Sequence, residues 1–131
     1  MNRVTIHLEA LQHNLQALDS MIREHGATWT VVTKVLCGHE DTLKALHGFG
    51  VKSVGESRLM NLQTIAAVMP ETERWYLRPP HLSRVKEIVE LTEVSLNSET
   101  GVIKAINEEA QRQGKIHKVV IMIELGDLRE G

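Results

Sequence analysis

Thr30-Val31-Val32-Thr33-Lys34-Val35-Leu36-Cys37-Gly38 reads as a short, fully buried β-strand that carries one lysine and breaks at a glycine. A continuous apolar run bounded by a turn signal suits a strand covered on both faces. A lysine inside such a run is anomalous, because ammonium groups are almost never fully buried without a partner. The group must be paired, deprotonated or converted to something else. An amine desolvated at a strand end is a candidate nucleophile for Schiff-base chemistry. Two plainer readings stay open: Lys34 snorkels out at the strand end, or the segment is an edge strand.

The flanking sequence repeats one pattern. Residues 3–7 alternate as a short leading strand within residues 1–8, and Leu8, Leu11, Leu15, Leu18 and Ile22 then fall at helical spacing as far as Gly26. After the Lys34 strand, Asp41 is placed to cap a helix with Leu43, Leu46 and Phe49 on its apolar face, stopped by Gly50. Residues 51–54 read as a strand. Gly55-Glu56-Ser57-Arg58 forms a loop and cap for a helix carrying Leu59, Leu62, Ile65 and Met69, which Pro70 ends. Residues 74–78 make a strand closed by Pro79-Pro80, followed by a helix burying Val85, Ile88, Val89 and Leu91. Val94-Ser95-Leu96 is the next strand. Ser98 suits the N-cap of a helix with Val102, Ile103, Ile106 and Ala110, and residues 118–124 bring a last apolar strand.

Strand and helix alternate regularly, which predicts an α/β fold with a parallel sheet. No Gly-x-Gly-x-x-Gly or Gly-x-x-x-x-Gly-Lys-Ser/Thr follows any strand, so neither a dinucleotide-binding nor a P-loop fingerprint is present. Polar residues gather at strand C-terminal ends: Lys34, Glu56, Arg78, Asn97, Glu124 and Arg129. That end is the working face of a (β/α)8 barrel and of an open doubly wound sheet alike. A complete barrel needs roughly 250 residues, about twice the 131 present. Five barrel units over residues 30–131, after the leading strand of residues 1–8, predict the N-terminal part of a TIM-type barrel in one partial domain, residues 1–131. Open strand edges then predict self-association across a two-fold.

Composition narrows the function classes. The chain is 42% hydrophobic and 24% charged with net charge −2, and its scattered Lys and Arg leave no electrostatic footprint for nucleic acid. Cys37 is the single cysteine, which excludes an internal disulfide and suits a reducing cytoplasm. There is no apolar signal core at the N-terminus and no stretch of membrane-spanning length. The seven histidines show no metal-ligand spacing. His39 is the one near the candidate lysine. Cys37 itself reads as a small buried hydrophobe, and Trp29 and Trp75 as core or interface.

Val4-Thr5-Ile6-His7-Leu8-Glu9-Ala10-Leu11-Gln12-His13-Asn14-Leu15 resembles the opening of alanine-racemase-type proteins, in which a short strand leads into a Leu-x-Ala-Leu-x-x-Asn-Leu helix. Lys34 falls where that family carries its pyridoxal-phosphate lysine. Residues 54–62, 95–99 and 124–131 also match in order and spacing, so the resemblance covers nearly the whole chain. Alanine racemases usually follow the lysine with Ala-x-Ala-Tyr-Gly-His-Gly. Here Val35-Leu36-Cys37-Gly38-His39 stands instead, without the tyrosine that helps hold the cofactor phosphate. Thr33-Lys34-Val35-x-Cys37-Gly38 and Gly126-Asp127-Leu128-Arg129-Glu130-Gly131 are similar to the ornithine-racemase-like branch, which implies a basic amino acid as substrate.

The resemblance implies a fold-type III pyridoxal-phosphate enzyme acting on a small-molecule amino-acid substrate, a homodimer, with Lys34 forming the imine with the cofactor and acting as one of two bases. Arg129 matches the arginine that hydrogen-bonds the cofactor's phenolic oxygen; a solvent-exposed loop arginine is the alternative. Arg78 and His39 are further candidates, and for Arg78 pairing with a neighbouring carboxylate is an equal reading. The phosphate-binding groups of the family, and the arginine facing the ring nitrogen, come from later strands. This chain alone is therefore expected to bind cofactor poorly and not to turn over. Two other classes stay open. Val54-Gly55-Glu56-Ser57 is similar to the Phe-Gly-Glu-Asn-like loop of non-catalytic pyridoxal-phosphate homeostasis proteins, and a ligand-free structural fragment is the third reading.

Overall fold

A computed structural model describes residues 4–128. The elements run α1 (Leu8–Glu24), β1 (Val31–Val32), a 3-10 turn (Lys34–Leu36), α2 (Glu40–Gly48), β2 (Ser53–Glu56) and α3 (Leu59–Val68). Then come β3 (Glu73–Tyr76), a second 3-10 turn (Leu82–Arg84), α4 (Val85–Leu91), β4 (Val94–Asn97), α5 (Thr100–Arg112) and β5 (Lys118–Ile121). The five strands form one parallel sheet in the order β1-β2-β3-β4-β5. Each strand pairs with the next in sequence, the order of barrel units, whereas a doubly wound sheet reverses at a switch point.

Parallel neighbours need a crossover, and each helix supplies one. Helices α2 and α3, α3 and α4, and α4 and α5 touch in turn, which lays them side by side over one face of the sheet. Their apolar stripes form the core there. Leu43 and Leu46 of α2, Leu62 and Ile65 of α3 and Ile88 of α4 pack with Val54 and Tyr76 of the sheet. Val85 and Val89 of α4 meet Val102, Ile106 and Ala110 of α5. Burying one such aliphatic side chain contributes roughly 1.5–3 kcal/mol.

The periphery departs from the sequence reading. Residues 4–7 form no strand and pair with none of the five strands, and residues 1–3 of the expected leading strand lie outside the described residues. Of the stripe on α1, Leu15 is buried, while Leu8 and Leu18 are 46% and 43% exposed. Trp29 Nε1 donates to Asp19 Oδ1 of α1 at 3.0 Å, which ties the helix to the chain entering β1. All of β5 is exposed, so the cover on both faces that is usual for a parallel sheet is missing at this edge. Among the described residues no helix is long and apolar enough to cross a membrane.

Candidate functional site

Thr33 ends β1. It is 1% exposed, and both its backbone N–H (3.0 Å) and its hydroxyl (3.3 Å) donate to the carbonyl of Gly55. With pairing to β2 closed in this way, the chain turns. Leu36 N–H donates to the Thr33 carbonyl at 2.9 Å and Cys37 N–H to the Lys34 carbonyl at 3.2 Å. Cys37 (φ 49°) and Gly38 (φ 75°) then take successive left-handed conformations, and only at the glycine is that free of steric cost. Lys34 is thus the first residue of a 3-10 turn, not part of a buried strand, and its side chain is exposed. The burial anomaly disappears with it. Among the described residues no carboxylate lies within ion-pair range of its ammonium. Cys37 is likewise exposed and is not the small buried hydrophobe expected. A hydroxyl that doubles the backbone bond at Thr33 leaves no trace in hydrophobic periodicity.

Because every strand is parallel, the C-terminal strand ends share one edge of the sheet. Lys34 stands there two residues after β1, Glu56 ends β2, Arg78 lies two residues after β3, and Asn97 ends β4. Arg78 is exposed, and the structure pairs it with no carboxylate among the described residues. His39 caps α2: its Nδ1 accepts from Thr42 N–H at 3.4 Å and lies 2.9 Å from Thr42 Oγ1. Asp41, expected as the cap, sits inside the first turn instead. Arg129 lies outside the described residues. Tyr76, the only tyrosine, is buried in the core; that burial pushes its phenol above the ordinary value of 10.0, with the nearby Arg78 and Arg84 charges pulling the other way.

Glu56 is a fully buried carboxylate at this edge, 1% exposed. Its Oε1 accepts from the N–H groups of Ser57 (2.6 Å) and Arg58 (3.1 Å), and its Oε2 from Asn61 Nδ2 at 3.0 Å. Glu56 therefore does serve the start of α3, as the sequence suggested. Asn61 was not singled out; its place in the first helical turn, where polar side chains reach back to satisfy free groups, is the signal that could have found it.

A different polar cluster occupies the opposite, N-terminal edge. Thr30 Oγ1 meets Ser53 Oγ at 2.8 Å, Ser53 Oγ donates to Glu73 Oε2 at 3.4 Å, and Lys118 Nζ donates to Glu73 Oε1 at 2.8 Å. A cleft of about 350 Å3 between α1, Trp29, Phe49 and Trp75 opens beside it. In parallel α/β folds chemistry sits at the other end, so the cleft and the lysine belong to different regions of the molecule.

The family description "alanine racemase, N-terminal domain" matches residues 6–131. The chain belongs to the alanine racemase N-terminal domain family. Among curated relatives, it is 33% identical to an ornithine racemase of Acetoanaerobium sticklandii and 30% identical to a lysine racemase of Thermotoga maritima, each over 98% of this chain and 36% of the relative. The chain thus spans about a third of the length of these relatives. Among solved structures, PipY of Synechococcus elongatus, determined with pyridoxal phosphate bound, superposes with a TM-score of 0.78 at 16% identity, over 88% of this chain and 55% of PipY. The structure of PipY without the cofactor gives 0.76 at 15% identity. This likeness shows the family's barrel fold in the five parallel units described above.

Proposed function

We propose that this chain carries the lysine half of the active site of a pyridoxal-phosphate-dependent racemase acting on a basic amino acid such as ornithine or lysine. The observation that carries the reading is the position of Lys34: a solvent-facing amine without a carboxylate partner among the described residues, at the C-terminal edge of the first strand in a parallel sheet. The residues fit the group. An aldehyde needs a primary amine it can reach without breaking an ion pair, and Lys34 offers one beside the glycine turn at Gly38. The cofactor, when bound, supplies an electron sink that acidifies the substrate's Cα–H bond.

The chain's own residues divide the remaining work. Lys34 Nζ would hold the cofactor through its aldehyde carbon, and the same amine would serve as general base toward the Cα proton on one face of the substrate. Arg129 is assigned to the cofactor's phenolic oxygen by resemblance. Arg78 contributes positive charge at the same sheet edge. His39 has Nδ1 engaged in capping α2, which leaves Nε2 as its only ring nitrogen for a site contact. Tyr76, sealed in the core, is not the second base. A second copy of the chain is the partner that the open sheet edges favour, and the single cysteine agrees with a reducing cytoplasm.

In a full-length protein containing this chain, solvent deuterium enters Cα of ornithine or lysine, Lys34→Ala abolishes the exchange, and the 131 residues alone give none. Exchange at the wild-type rate in the Lys34→Ala protein would contradict the assignment. Cofactor held on Lys34 without any exchange would instead favour the non-catalytic carrier.

A further inference from the structure

Gly38 closes the Lys34 turn against the side chain of Asn61. A Cβ placed on Gly38 would lie 3.0 Å from Asn61 Oδ1 and 3.5 Å from its Cγ, so the amide of Asn61 is the wall on which the end of the turn rests. Which end of that amide faces Gly38 is set on its other side. Glu56 is 1% exposed and, as a carboxylate, only accepts hydrogen bonds. It draws Nδ2 of Asn61 to its Oε2 at 3.0 Å, which turns Oδ1 toward Gly38. Two backbone donors, Ser57 N–H and Arg58 N–H, fix the other carboxylate oxygen. A buried, fully engaged group of this kind holds one orientation. A path of two links therefore runs from Glu56 at the end of β2, through Asn61 of α3, to Gly38 in the turn that begins with Lys34.

We propose that Glu56 is a positioning residue for Lys34, acting through Asn61. It touches neither the amine nor anything the amine binds. It holds the amide that sets the shape of the turn, and so the direction in which Lys34 Nζ leaves the sheet edge. Replacing Glu56 by Gln puts a donor where only acceptors stood. The Asn61 amide then rotates to offer Oδ1 to that donor, and its NH2 turns toward Gly38. The inference rests on Lys34 being the reactive amine, and its test separates the two claims.

The test uses the 131-residue chain incubated with pyridoxal phosphate, trapped at intervals with borohydride and mapped by peptide, with the remaining lysines as internal reference. The Lys34 labelling rate falls roughly tenfold in Asn61→Ala and in Glu56→Gln, less than the ~100-fold that a full 1 Å misplacement of a reacting group can cost, and its pH profile shifts. In the Asn61→Ala background, Glu56→Gln has no further effect, because its route is already cut. Amide hydrogen exchange over residues 34–39 rises in both single variants and no further in the double. Wild-type labelling and exchange in either single variant, or equal effects of Glu56→Gln in both backgrounds, overturns the proposal. If wild-type protein takes no label at Lys34, the reading of that lysine fails, and hydrogen exchange alone decides the coupling by the same pattern.

Discussion

Glu73 shows how one side chain can join strands far apart in sequence. Its Oε1 accepts from Lys118 Nζ of β5 at 2.8 Å, and its Oε2 accepts from Trp75 Nε1 at 2.9 Å and Ser53 Oγ of β2 at 3.4 Å. The Lys118 hydrogen bond, followed by that of Trp75, holds the carboxyl below its ordinary value of 4.5. A carboxylate with a depressed folded pKa binds its proton more readily in the unfolded chain. Its contribution is complete above pH 4.5 and is lost as the pH falls through the folded pKa. Urea unfolding of Glu73→Gln should therefore show lower stability than wild type near neutrality and convergence with it in acid. An unchanged gap between the two proteins at every pH would contradict this account. At the same scale, Lys34 was legible in the sequence as a residue but not as an environment. Its chemistry follows from its type and its place in the order of segments, whereas its exposure follows from two bonds that Thr33 makes to one carbonyl.

Elements with a long apolar period were readable. Leu43 and Leu46, Leu62 and Ile65, and Ile106 and Ala110 recur at helical spacing because each faces a sheet or a neighbouring helix. Strand order followed from alternation, since a parallel neighbour needs a crossover. Four features were not readable. The ends of helices depend on local geometry: His39, not Asp41, caps α2, and α5 begins at Thr100 after Glu99, which makes no side-chain cap, with Ser98 unused. The leading strand failed over residues 4–7 because a strand is defined by its partner, which periodicity cannot supply. Gly55 was read as loop, but it lies inside β2, and a Cβ there would sit 2.5 Å from Leu77. Close approach across the sheet, not a turn, requires that glycine. The Asn61 wall behind the lysine turn escaped for the same reason: Glu56 ends a strand and Asn61 lies in the first turn of a helix, and nothing in their type reports that Gly38 packs against Asn61.

At the scale of the molecule, β1 and β5 are the two edges of an open five-stranded sheet. Val32 is 53% exposed on one edge and Ile121 is 66% exposed on the other, and unpaired apolar edges invite strand addition. The 131-residue chain should accordingly associate: its weight-average mass in sedimentation rises with concentration, whereas one monomeric species throughout a wide range would contradict it. The fold also sets what the site can be. Five parallel units place Lys34, Glu56, Arg78 and Asn97 along one sheet edge, and the curated relatives extend to nearly three times this length. Incubation with pyridoxal phosphate, reduction with borohydride and mapping of the labelled peptide should place the label on Lys34; no label, or label spread evenly over the surface lysines, would contradict the assignment of this chain to cofactor chemistry.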